Sequence, residues 1–426
     1  MPKYSSRILL LFLFVSAALS SRAQTHFGSP YSRYGIGDLF SQTNNTSFAM
    51  GGVNLAVRNP LAINYMNPAS YTAFDTLSFI FEGGVTSKSI NLKTDGLTQS
   101  SNYATLSHLL FGFPITKWWK MSAGLVPFSQ TGYNIAETHL VDSIGSTQRL
   151  YEGSGGINQF YLGNGFKITK DLSFGFNVSY IFGTLNKSRS INYPDSIFIR
   201  SYRIVNSSTI GDFMFTYGLQ YNKKIGKNMH LGIGAVFTNS VNLNATDQIL
   251  AETYSLGSSG IVYIKDTIEN KPDVKGKIVL PMSYGLGMML MKDEQWMIAA
   301  DYKYQNWSEY SYFGVKDSLK NSYQAALGFQ FTPNSASVTN YAQRINYRFG
   351  MRYGKTYLQL RDNQLSEYAF SAGIGLPLNK TRSTVNLGVE FGRRGTTDKN
   401  LIQENFFKIN LGVSVSELWF YRRKFE

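Results

Sequence analysis

The sequence predicts an all-β fold, a transmembrane antiparallel β-barrel of about 14 strands, with an N-terminal hatch in its lumen. Three observations lead there. From Thr76 onward the hydrophobic period is two. Aromatic residues make up 15% of the chain, while charged residues make up only 16%, against about 25% in ordinary soluble domains. The connections between strand-like segments alternate between short and long.

The alternation is plainest in three places. Leu172, Phe174, Phe176, Val178, Tyr180 and Phe182 alternate with Ser173, Gly175, Asn177 and Ser179. Val385, Leu387, Val389 and Phe391 alternate with Asn386, Gly388 and Glu390, and residues 407–415 repeat the pattern. An apolar face backed by Gly, Ser and Asn suits a wall with lipid outside and a wet or ligand-lined interior. Mean hydropathy is −0.18, and no apolar run after the N-terminus reaches the ~20 residues of a spanning helix. The short polar connections TKWW, TK, KIGK, KDE and LNKTR follow even-numbered segments; 136–149, 189–204 and 247–273 are the longest of the others. The connection at 332–343 breaks that rule.

Residues 1–23 read as a signal peptide. Lys3 and Arg7 precede the apolar ILLLFLFVSAAL, and small residues flank a cleavage site after Ala23. The mature chain is then exported. An even strand number places both ends and the short turns in the periplasm, with the barrel in the outer membrane. The organisation predicted is 1–23 signal peptide, 24–75 hatch and 76–426 barrel.

The hatch reading rests on residues 48–74. Gly51-Gly52 and the steps Asn59-Pro60 and Asn67-Pro68 lie among small or apolar residues. Each proline fixes its own φ and pushes the preceding Asn out of the helical region. Short pieces with sharp corners follow, of a kind that fills a cavity. A barrel of this size sits between those that side chains fill and those that leave an open channel.

Ala49-Met50-Gly51-Gly52 and Asn67-Pro68-Ala69, followed by Gly124-Leu125-Val126-Pro127-Phe128, by Leu280-Pro281 with Ser283–Gly287, and by the ending Leu418–Lys424, resemble the FadL/TodX family of outer-membrane channels for hydrophobic compounds. The resemblance implies hatch residues at Gly51, Gly52, Asn67, Pro68 and Ala69. It also implies a third-strand kink at Pro127 and Phe128, through which an apolar ligand leaves sideways into the bilayer. Ser129 stands where that family is expected to have Gly, and the loops carry few long apolar runs. Pro127 has meaning by itself, since proline donates no ladder hydrogen bond and marks a bulge or break.

The expected partners are membrane lipids, lipopolysaccharide and a hydrophobic small molecule such as a long-chain fatty acid or an aromatic hydrocarbon. A protein partner in a secretion or surface-assembly complex is the alternative, because PorV-like relatives of this barrel are subunits of type IX machinery. The net charge of +14 is scattered, with Lys and Arg gathered in turns, which suits lipid head groups and not nucleic acid. Cysteine is absent. None of His26, His108, His139 and His230 sits in a metalloprotease or hydrolase motif, so no enzyme, metal or cofactor is expected. His108 with Ser122 or Ser129 is the one hydrolytic pairing to check.

Overall fold

The computed structural model describes residues 28–418 except 143, 197, 258–260, 294 and 380. The predicted signal peptide lies outside the described residues. Fourteen strands form the wall, each antiparallel to its neighbours. They are β1 (Ser78–Lys93), β2 (Thr98–Pro114), β3 (Trp119–Gln130, resuming as Tyr133–Val141), β4 (Gly145–Lys167) and β5 (Leu172–Asn192). Next come β6 (Ser201–Lys224), β7 (Met229–Thr238, resuming as Val241–Leu256), β8 (Val262–Leu280, resuming as Ser283–Lys292) and β9 (Trp296–Gln305). The last are β10 (Ser322–Phe331), β11 (Asn346–Leu360), β12 (Asn363–Pro377), β13 (Thr384–Arg394) and β14 (Gln403–Leu418). β14 pairs β1 from Ser78↔Leu418 to Lys93↔Gln403, which closes the barrel. No helix among the described residues is long and apolar enough to cross a membrane.

Side chains sort by face as the period of two requires. Phe160, Leu162, Phe213, Phe215, Tyr217, Leu219 and Leu286 point outward and are exposed. Their neighbours Gln159, Asn177, Ser179 and Gln220 point inward and are buried. This inversion of the soluble pattern stabilises a barrel only where lipid surrounds it.

The connections expected as long loops differ. Residues 136–141, 145–149, 189–192, 201–204 and 247–256 continue the strands. β6 has 24 residues, which at ~3.3 Å each and a tilt near 40° gives a height of roughly 60 Å, about twice the hydrocarbon core. The excess rises as a crown opposite the short turns. Inside it Ile181, Ile210, Leu243 and Ile278 gather with Tyr31, Ile36, Trp307 and Tyr357 in one apolar core. Trp307 stacks on Tyr357 with ring centroids 4.6 Å apart.

Candidate functional site

Residues 28–74 run inside this wall. A short helix, Asn45–Phe48, is capped by Asn44, whose Oδ1 accepts from Ser47 N at 2.8 Å. Gly51 and Gly52 then turn at φ 69° and 85°, where any side chain strains the backbone. At Gly51 a Cβ would also meet Met351 O at 2.6 Å. The Gly51 N–H donates to Ser371 Oγ at 2.8 Å and fixes the turn to β12. Asn67 is fully buried. Its Nδ2 donates to Leu55 O at 2.6 Å, and its Oδ1 accepts from Ala69 N at 3.2 Å, capping the 3-10 turn Pro68–Ala73. Pro68 and Ala69 press on Gly175 of β5, where a Cβ would lie 2.7 Å from Ala69 N. Of the five residues singled out on this stretch, Gly51, Asn67, Pro68 and Ala69 thus lie against the inner wall, in two groups, and Gly52 turns the chain back onto Ser47 and Thr43.

Two wall carboxylates hold the stretch between those groups. Asp301 Oδ2 accepts from the N–H groups of Asn54 and Leu55 at 2.7 and 3.0 Å. Glu82 Oε2 accepts from Ile63 N at 3.0 Å. Acidic residues inside strands of alternating pattern carry no signal of that role, and sequence reasoning missed both. Arg58 reaches Thr72 Oγ1 at 2.8 Å and Gln220 Oε1 at 3.2 Å. Burial pushes its guanidinium down to about 10.

At β3 the wall changes. The ladder between β2 and β3 runs from Pro114↔Lys120 to Leu109↔Leu125 and stops there among the described residues. β2 continues upward on β1 alone, after a register shift beside His108. β3 continues on β4, and the register slips between Pro127↔Asn158 and Ser129↔Ile157, so Phe128 is the extra residue of a bulge. Pro127 and Phe128 therefore stand just above the point where the two strands part. The freed edge of β3 is taken by the N-terminal residues: Leu39 pairs Ser129, Asp38 pairs Gln130, and Phe40 N donates to Phe128 O at 3.0 Å. Ser129 itself donates to Ile36 O at 2.7 Å. That two-residue pairing was invisible in the sequence. Gly28 N donates to Gly132 O at 2.7 Å, so the first described residues lie beside β3.

Asp38 anchors this N-terminal strap. Its carboxylate takes Arg394 Nη1 at 2.5 Å and Lys88 Nζ at 3.5 Å. Burial would raise the carboxyl, but Arg394 and Lys88 outweigh it and hold it well below the carboxylate range. Beneath the crown a cavity of about 290 Å³ is lined by Leu39, Phe40, Phe128, Tyr284 and Trp307, and by the cations Lys303 and Arg352. A smaller one of about 60 Å³ shares Asp38–Ser41 with it and reaches Tyr103, Thr105 and Pro127 at the parting of β2 and β3. The hydrolytic pairing does not form. His108 Nδ1 meets Ser107 Oγ at 2.9 Å, and Ser122 donates to Phe111 O at 2.8 Å.

A family model described as BamG matches residues 5–426. The chain belongs to the BamG family. No curated protein matches. Among solved structures, the Pseudomonas putida toluene transporter TodX is 18% identical, with 91% of this chain and 100% of that one covered at a TM-score of 0.60. The Ralstonia pickettii toluene transporter TbuX is 13% identical over 88% and 98% at 0.58. A Pseudomonas aeruginosa FadL homologue is 12% identical over 89% and 99% at 0.56. The FadL/TodX-like barrel read from the motifs is the fold observed.

Proposed function

We propose that the chain is an outer-membrane channel for passive uptake of hydrophobic small molecules. The observation that carries this is the parting of β2 from β3 at Leu109↔Leu125, beside a cavity lined by Leu39, Phe40, Phe48 and Pro127 together with Asp38, Lys88 and Lys408. Backbone facing lipid without partners is costly, so a ladder that stops within a barrel wall calls for a use. A ligand entering beneath the crown would occupy the larger cavity and leave sideways above Leu125. The strap at Asp38–Phe40 lies in its path, and residues 44–74 are the hatch that closes the lumen below. The likeness to toluene transporters supports the compound class. On this reading the signal peptide is removed after Ala23, and the turn end, where β1 starts and β14 finishes, is periplasmic.

The test is deletion of Phe128, which removes the bulge and lets β3 run in register. Cells carrying the wild-type chain should accumulate labelled toluene or palmitate faster than cells carrying the deletion, at equal amounts of folded barrel. Equal rates would sink the sideways route. A second reading, a barrel subunit of a secretion or surface-assembly complex, is favoured by one observation. Buried carboxylates and close backbone contacts tie residues 44–74 to the wall, as in a lumen that stays filled.

A further inference from the structure

A second cavity, of about 430 Å³, lies at the turn end beneath residues 44–62. Its lining includes Arg58, Lys292, Arg344, Arg348 and Arg382 and contains no Asp or Glu. Arg348, 3% exposed, carries the argument. Its Nε donates to Gln330 Oε1 at 2.8 Å and its Nη1 to Asn386 Oδ1 at 2.7 Å, while Nη2 has no protein acceptor among the described residues. The carboxylate that acts on it electrostatically is Glu82, already taken up by Ile63 N and Ser414 Oγ. Arg344 rests on the neutral Asn379 at 2.9 Å. Of the five cations, Arg382 has a carboxylate within ion-pair distance, Asp75. Arg348 is the buried one, Arg58, Lys292 and Arg344 are half-buried and Arg382 is exposed, and a buried guanidinium with no anion beside it is unfavourable unless one joins it. Planar guanidinium forks suit carboxylate and phosphate oxygens.

Apolar side chains share this lining; Met297 stands across from Gln330, the partner of Arg348, two strands from it. Met50, Val57, Met291 and Met297 line the cavity with Trp296, and methionines adapt to flexible chains. The connection between β10 and β11, which contains the stretch 332–343 that broke the short-turn rule, supplies Thr332 and Arg344 to the lining. We propose that this cavity binds amphiphiles whose head is a carboxylate or a phosphate, with the head on Arg348 and Arg344 and the chain along the methionines. The site is separate from the parting of β2 and β3 and does not depend on uptake.

The experiment is calorimetric titration of the full-length protein in neutral detergent with palmitate, palmitoyl lysophosphatidate and hexadecanol. Both anions should bind, hexadecanol at least tenfold more weakly, and added salt should weaken only the anions. The tighter anion identifies the source, free fatty acid or phospholipid. Arg348→Gln with Arg344→Gln should weaken the anions tenfold or more, while Lys303→Gln in the upper cavity should leave them unchanged. If that pair does not fold, Lys292→Gln with Arg344→Gln at the rim carries the same expectation. Equal binding of hexadecanol would overturn the proposal. So would loss only in Lys303→Gln, or binding of an oligoglutamate peptide in place of both amphiphiles.

Discussion

β5 changes what it turns inward within two residues. Below, Ser173, Gly175, Asn177 and Ser179 face the lumen; above, Ile181 and Leu185 do. β6 makes the opposite change outside, from Leu219, Tyr217, Phe215 and Phe213 to Thr209 and Ser207. One continuous strand thus obeys two rules. In the band the surroundings are apolar, so polar groups go inward and must find partners there. In the crown the surroundings are water, and the apolar groups go inward as in any soluble core. The switch locates the upper edge of the hydrocarbon layer near Phe213, and it separates two ways of closing the barrel. In the band, hydrogen-bonded and ion-paired groups stand beside apolar clusters built on residues 50–74; in the crown one larger apolar core dominates, with ion pairs such as Arg203 with Glu252 at its side.

The largest expected effect is in the band. Arg352 pairs with the half-buried Glu367 at 2.9 Å and with the buried Glu390. Arg352→Met should cost about 3–5 kcal/mol by leaving the buried Glu390 with Lys408 as its one cation among the described residues, read as a lower urea midpoint of the folded barrel. In the crown the matching change is Ile210→Ala, a cavity in an apolar core, at about 2–5 kcal/mol. The faces are compared directly on β6. Leu219→Arg should cost about 2–4 kcal/mol in lipid, whereas Thr209→Arg, on the same face higher up, should cost under about 0.5 kcal/mol. Equal costs would erase the boundary.

The smallest effect concerns the strap. Asp38 is held below its unfolded value of about 3.9 by Arg394 and Lys88. Its contribution is therefore complete above about pH 4 and is lost as the pH falls further, toward the folded value. Proteolytic protection of residues 28–42 should be flat from neutral pH to about 4.5 and decline below about 4. Asp38→Asn should show weaker protection and no such decline.

Much of the band was legible because lipid on one side and a polar lumen on the other enforce the period of two. The crown was not. There the outward face is Ser, Thr, Asn and Lys, as in a loop, and strand continuation is decided by pairing with the neighbours. Pro127 announced an interruption because a missing N–H is a local property. The strap was silent, since Asp38 and Leu39 become a strand only by borrowing the edge of β3. The cationic cavity was silent for another reason: its residues come from 58, 292, 344, 348 and 382, a set that only the closure of the barrel assembles. The turns at Gly51-Gly52 and Asn67-Pro68 were readable, whereas the carboxylates that hold them belong to distant strands.

Native mass spectrometry of the full-length protein, purified from its own membrane in mild detergent, discriminates the channel from the complex subunit most directly. An uptake channel predicts a retained acyl or aromatic small molecule that is lost when Phe128 is deleted. A stoichiometric protein partner with no retained small molecule would contradict it and leave the filled lumen as the support of an assembly.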